Sequence, residues 1–174
     1  MANERVSIAI HSGKLDYTPL IENLLKSILL CNHYPDVEII LIESAGISET
    51  REWFEKINFN DNFVNFDGTI TDTKKHDGVS ITKNLLFLTY PEDLPWYTCY
   101  QDATREALRA STGQYYAFIA EDNQFCVEGD VLGDYVKVIQ HEGEDNTMVS
   151  LSTLQQYKHT KSNNHVGLIQ ALDD

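Results

Sequence analysis

Short apolar runs alternate along most of this chain with segments whose apolar residues recur at helical spacing. That alternation is the strongest constraint on its fold. Residues 6–10 (VSIAI) and 37–42 (VEIILI) are almost wholly apolar and rich in β-branched side chains. Such runs suit strands covered on both faces, as in a parallel sheet. Between them Leu20, Ile21, Leu24, Leu25, Ile28 and Leu29 mark one face of a helix. Thr18 and Pro19 supply its start: a capping hydroxyl, then a proline whose missing N–H costs nothing in the first turn. Tyr34-Pro35-Asp36 stops it. The unit then repeats. Ser48 is placed to cap a helix from 49 to about 57, and residues 58–84 read as a long polar loop with one short strand. Residues 85–90 read as a strand, and a helix from about 102 ends at Gly113, a left-handed cap. Residues 115–119 form the next strand, and Gly129-Asp130 opens a last helix. Residues 148–151 and 165–169 are two further candidate strands. The expected fold is α/β, three layers (α/β/α) around a mainly parallel central sheet, in a single domain over residues 1–174.

In such sheets ligands bind beyond the carboxyl ends of the strands. The positions of interest are therefore 11–14, 43–46, 90–93 and 121–123. The clearest is YYAFIAEDNQF, an apolar strand running straight into Glu121, Asp122 and Asn123. Three oxygen-bearing side chains at a strand end suit a hard cation, Mg²⁺ or Mn²⁺. The plain alternative is a polar turn. Glu43, in LIESAG, is a second acid at a strand tip, able to accept hydrogen bonds from a base or ribose.

Order and spacing together give a resemblance. VSIAIHSGK, a helix, YPDVEIILIESAG and TREALRASTGQYYAFIAEDNQF resemble the N-terminal half of family 2 glycosyltransferases, which have the GT-A (nucleotide-diphospho-sugar transferase) fold. The similarity covers about residues 4–140. It implies that His11, Ser12 and Gly13 line the nucleoside pocket and that Glu43 stands where the family places a base-contacting Asp. Gly113-Gln114-Tyr115 matches the family's GEY, and Arg105 falls where the family has an Asn near the nucleotide. Asp122 falls on the metal-binding last Asp of the DxD motif. Ala120 replaces the first Asp, so Glu121 or Asn123 must supply the missing oxygens. The implied activity is transfer of a sugar from a nucleotide diphosphate, a UDP-sugar first, to a saccharide or lipid acceptor with Mn²⁺ or Mg²⁺. The family's catalytic base comes from a later acceptor-binding part. Here only Glu144, Asp145, Asp173 and Asp174 stand late in the chain, and no base is assigned. A single domain without a full acceptor-binding part is expected.

Two other readings compete. One is a non-catalytic nucleotide-sugar-binding or assembly module of the same fold, favoured by Ala120. The other starts from NFDGTITDT, which resembles the nucleophile motif of haloacid dehalogenase-type phosphatases. There Asn65 replaces the nucleophilic Asp, Asp67 would be the acid/base, and Lys83 the later lysine. The plain reading of DGT is a turn.

Charge narrows the partners. With 13 Lys and Arg against 27 Asp and Glu, the net charge is −14. That disfavours nucleic acid and anionic membranes, but not a phosphorylated ligand bridged by a divalent cation. Three scattered cysteines and no apolar run of membrane-spanning length fit a cytoplasmic protein. Six histidines without HxH or HExxH spacing argue against a zinc site. Trp53 and Trp96 read as packing residues, with Trp96-Tyr97 in a loop the better placed to meet a ligand. Lys14, Lys74, Lys75 and Lys83 are candidates to face a diphosphate.

Overall fold

The computed structural model describes residues 4–13, 17–66 and 73–142. Strands β1 (Val6–Ser12), β2 (Asp36–Glu43), β5 (Ser80–Phe87) and β6 (Tyr115–Ala120) form one sheet in the order β5-β2-β1-β6. Every pairing in it is parallel. Helices α1 (Thr18–Cys31), α2 (Ser48–Lys56), α3 (Trp96–Ala110) and α4 (Val131–Glu142) connect and cover it. A separate antiparallel pair, β3 (Phe63–Val64) with β4 (Thr73–Lys74), lies in the long polar segment. The α/β/α architecture is therefore the one the alternation implies. The late candidate strands at 148–151 and 165–169, with Glu144, Asp145, Asp173 and Asp174, lie outside the described residues.

The two central strands explain the two clearest sequence runs. β1 is buried along its whole length and β2 along all but its first residue. One face, with Ile8, Ile10, Ile39 and Leu41, packs on α1, α2 and α4 through Leu24, Leu25, Ile28, Phe54 and Leu132. The other face is narrower. Ala9, Ile40 and Ile42 meet Ala103 and Ala107 of α3, all fully buried. Alanines on both partners let α3 approach the sheet closely.

At the amino end of the sheet a polar network is closed. Ser7 donates its hydroxyl to Glu38 Oε2 at 2.5 Å, and Thr112 N–H donates to the same oxygen at 2.8 Å. Gly113 N–H donates to Ser7 Oγ at 2.9 Å. A Cβ on Gly113 would lie 2.6 Å from Ser7 Oγ and 2.8 Å from the Arg5 carbonyl oxygen. Gly113 is required by this close approach, not by a left-handed cap. It does not have positive φ, and α3 already ends at Ala110 with an extended Ser111.

Several local expectations shift. Thr18 is the first residue of α1, after Tyr17, and its hydroxyl meets that of Thr50 at 2.7 Å instead of capping. Ser48 likewise opens α2 and bonds the Glu49 carboxylate. α3 starts at Trp96, not near 102, because Pro95 accepts the first turn's N–H groups from Thr98 and Cys99. Trp96 and Tyr97 thus lie on a helix, not in a loop. β5 starts at Ser80 and ends at Phe87, earlier than the apolar residues 85–90 suggest. As an edge strand it tolerates exposed polar residues.

Candidate active site

The strands end level with one another, which builds one rim. Register pairs Ser12 with Glu43, Glu43 with Phe87, and His11 with Ala120. Beyond them opens a cleft of about 700 Å³, lined by residues from every strand tip and by the first turns of α3. β1 contributes His11, and Gly13 and Tyr17 follow it. The turn after β2 contributes Ser44 and Ala45, and the loop after β5 contributes Tyr90, Pro91 and Glu92. Ala120 ends β6 and Glu121 and Asp122 follow it, while Cys99 and Tyr100 come from α3.

His11 is fixed by its neighbours. Its Nε2 lies 2.6 Å from Ser44 Oγ, and its ring meets Tyr100 edge-on at 5.9 Å. Tyr100 in turn meets Phe118 edge-on at 4.8 Å. Burial lowers the His11 pKa, so the ring is held neutral. Ser44 also donates its hydroxyl to the Ser12 carbonyl at 3.1 Å, which ties the β1 and β2 tips together.

Glu43 acts behind this wall. It is fully buried, and its Oε1 accepts N–H groups from Ala45 at 2.8 Å and Ile47 at 3.1 Å. It therefore shapes the turn that presents Ser44 and Ala45. Its Oε2 and the Ser12 hydroxyl are both buried without a hydrogen-bond partner among the described residues. Neither Glu43 nor Ser12 forms part of the cleft wall.

The acidic cluster lies on the cleft as the strand-tip argument implies. Glu121 is partly buried and Asp122 exposed. Burial raises the Glu121 pKa, with the Asp122 charge adding to it and a backbone hydrogen bond opposing it. Burial also raises the Tyr100 phenol, helped by the charges of Glu121 and Asp122. Asn123 N–H donates to the Ala120 carbonyl at 3.1 Å, and Asn123 is not among the wall residues. Among the described residues no Lys or Arg lines the cleft. Adjacent carboxylate oxygens with no organic cation opposite them suit a hard divalent ion such as Mg²⁺ or Mn²⁺.

The other candidates separate from the cleft. Arg105 lies 3.6 Å from Asp102 and lines a neighbouring cavity of about 280 Å³, which shares Tyr90 with the cleft. Lys83 donates to the carbonyls of Phe54, Glu55 and Ile57 at the end of α2. Lys75 is buried on the Phe59 carbonyl, and Lys74 faces Asp77. None of these lysines faces the cleft; Lys14 and Asp67 lie outside the described residues. Asn65 follows β3 of the small antiparallel pair, not a strand of the parallel sheet, so the phosphatase-like motif lacks its strand context. Trp53 donates its indole N–H to the Phe66 carbonyl at 2.7 Å and is a packing residue. The strand-tip positions 43–46 and 90–93 already include the wall residues Ser44, Ala45, Tyr90, Pro91 and Glu92, whereas Tyr17, Cys99 and Tyr100 were not singled out by the sequence. An earlier start for α3 at Pro95 was the one signal that would have put Cys99 and Tyr100 on a helix at the strand ends.

No protein-family model and no curated relative matches the sequence. Solved structures do match. TarS residues 1–349 from S. aureus superposes with a TM-score of 0.55 at 14% identity, over 86% of this chain and 36% of that one. The same protein in complex with UDP-GlcNAc gives a TM-score of 0.53, over 86% of this chain and 34% of that one. The mannosyltransferase PcManGT from Pyrobaculum calidifontis, in complex with GDP-Man and Mn²⁺, gives 0.54 at 21% identity, over 88% of this chain and 36% of that one. The chain has the α/β fold of these GT-A-like glycosyltransferases and spans about a third of their length. Among the described residues no helix is long and apolar enough to cross a membrane.

Proposed function

We propose that this chain is the donor-binding part of a metal-dependent glycosyltransferase, one that moves a sugar from a nucleotide diphosphate to an acceptor hydroxyl. The observation that carries this is the cleft at the carboxyl ends of a GT-A-type sheet, lined by Glu121 and Asp122 and, among the described residues, by no Lys or Arg. A diphosphate and the carboxylates of Glu121 and Asp122 repel each other unless a cation lies between them. In this reading Asp122 would hold Mn²⁺ or Mg²⁺ with help from Glu121 or Asn123. The ion supplies charge neutralisation for the departing diphosphate. His11, Gly13 and the Ser44 turn hold the nucleoside, with Tyr17 and Tyr100 as flanking rings. Ser12 and Glu43 support them from behind by fixing the β1 and β2 tips. Arg105 stands beside this arrangement, close enough to act only on a ligand that extends past Tyr90.

A UDP-sugar is the first donor to test, since one neighbour is seen with UDP-GlcNAc and another with GDP-Man and Mn²⁺. The acceptor belongs to the saccharide or lipid class. The free thiols Cys31, Cys99 and Cys126 support a cytoplasmic location. A second reading, a nucleotide-sugar-binding or assembly module without catalysis, is favoured by Ala120, which removes one metal-binding carboxylate from the strand end. Calorimetric titration of UDP, GDP and CMP with and without Mn²⁺ tests the proposal. Binding of one diphosphate nucleotide only with Mn²⁺ is expected. Binding of none, under either condition, overturns the transferase reading and favours the assembly module. Turnover of a UDP-sugar by the same protein then separates the transferase from the module.

A further inference from the structure

The opposite end of the sheet brings together three metal-ligating side chains that the sequence keeps far apart. His33 follows α1 and precedes the start of β2. His76 precedes the start of β5, whose first residue Ser80 pairs with Asp36 of β2. Glu128 comes from the segment that leaves the β6 tip and runs down along α1. His33 Nε2 lies 3.0 Å from His76 Nε2, and both lie 3.3 Å from Glu128 Oε1. The Leu30 carbonyl oxygen is a fourth electron-pair donor, 2.9 Å from His76 Nε2. From the geometry we infer that His33, His76 and Glu128 form a binding site for a divalent transition-metal ion of the Zn²⁺ class, separate from the cleft.

Distances support this directly. Ligands at about 2.0–2.1 Å from a tetrahedral zinc stand about 3.3 Å from one another. Two edges here, from Glu128 to each imidazole, equal that distance at 3.3 Å, and the third, between the imidazoles, is shorter at 3.0 Å. Hydrogen bonding alone leaves the cluster underused. Two neutral imidazole nitrogens facing each other share at most one proton, and that proton has the Leu30 carbonyl and the Glu128 carboxylate as competing acceptors. A cation accepts the lone pairs of both imidazoles and of the carboxylate at once. Two neutral imidazoles and one carboxylate make a donor set suited to zinc, whereas the all-oxygen set at Glu121 and Asp122 suits Mg²⁺ or Mn²⁺.

The scaffold holds the ligands in place before any ion arrives. Gly129 N–H donates to the Cys31 carbonyl at 2.9 Å, and His33 N–H donates to the Gly129 carbonyl at 3.0 Å, flanking Glu128 and His33 on adjacent backbone. The segment between β6 and Glu128 is tied to α1 as well, through Phe125 N–H to Ser27 Oγ at 2.9 Å. Val79 N–H donates to the His76 carbonyl at 3.3 Å. An ion here pins the segment that begins with Glu121 and Asp122 to the end of α1 and to the entry of β5. Its role is structural, and its exposed side leaves a position for water.

Titration of the metal-free protein with Co²⁺ and Zn²⁺ tests the site. One Co²⁺ per chain with the visible absorption of a four-coordinate ion is expected, displaced by one equivalent of Zn²⁺. His33→Ala and His76→Ala remove that absorption and weaken Zn²⁺ binding by at least about 10–100-fold, the range that loss of outer-shell partners alone produces. Both rings are partly exposed, and circular dichroism reports whether each variant folds; Glu128→Gln keeps the shape and serves where an alanine variant does not. Asp122→Ala leaves the Co²⁺ absorption intact. Absence of a four-coordinate Co²⁺ spectrum overturns the inference. So does Zn²⁺ affinity unchanged in every folded variant of the three ligands, or an absorption that vanishes with Asp122→Ala instead.

Discussion

Two buried glutamates stand five residues apart on the same strand, one at each end of the sheet, and they are used differently. Glu38, at the amino end, receives the Ser7 hydroxyl and the Thr112 N–H on one oxygen and lies inside a closed network. Glu43, at the carboxyl end, spends one oxygen on the Ala45 and Ile47 N–H groups and keeps the other buried without a partner. A carboxylate bonded by both a side chain and the backbone of neighbouring elements belongs to the fold. A carboxylate with spare capacity, behind a cleft, supports a turn that a ligand can press against. The contrast extends outward. The amino end closes through Gly113 and the Arg5–Asp36 ion pair, whereas the carboxyl end opens into a cleft lined by acids.

The largest effect is expected from Glu38→Ala. It strands the Ser7 hydroxyl and the Thr112 N–H and empties a buried site, and should cost about 3–5 kcal/mol in a urea denaturation series. A loss below about 1 kcal/mol would break the claim that this end is closed. Gly113→Ala comes next. The added Cβ meets backbone as well as the Ser7 hydroxyl, and about 1–3 kcal/mol is expected from the same measurement. Glu43→Gln should cost less, about 1–2 kcal/mol, because the amide oxygen still accepts the two turn N–H groups while the new NH₂ is buried. If it costs as much as Glu38→Ala, the two ends do not differ in the way described.

The smallest effect is a pH dependence. Burial lowers the His11 pKa below its value of 6.5 in the unfolded chain. Below 6.5 the unfolded state binds the proton more readily, so His11 makes the fold less stable as pH drops from 6.5 through its lowered pKa. Above 6.5 both forms are neutral and the penalty vanishes. Comparison of wild type with His11→Asn by thermal unfolding at pH 7 and pH 5 should show a smaller acid loss in the variant. An equal loss would place the acid sensitivity elsewhere.

The sequence made the centre of the molecule legible and its margins less so. β1, β2 and α1 could be read because full burial forces apolar residues onto every covered position. β5 could not be bounded, since an edge strand carries Thr82, Lys83 and Asn84 without penalty. α3 began earlier than its periodicity because Pro95 and aromatic residues open it without a capping hydroxyl. Glu121 and Asp122 were found because a strand tip is local in sequence. Ser44 was legible for the same reason, whereas Tyr100 reaches the cleft from α3, and only packing brings it there. The histidine cluster shows the limit of spacing rules. Local motifs argued against a zinc site, yet His33, His76 and Glu128 meet through the fold.

The central claim is that a cation on the β6 tip joins this acidic cleft to a nucleotide diphosphate. Its most direct test is the affinity for UDP, with and without Mn²⁺, in wild type and Asp122→Ala. The account predicts Mn²⁺-dependent binding in wild type and loss of that dependence, by about tenfold or more in affinity, in the variant. UDP binding with the same Mn²⁺ dependence in both proteins would contradict it.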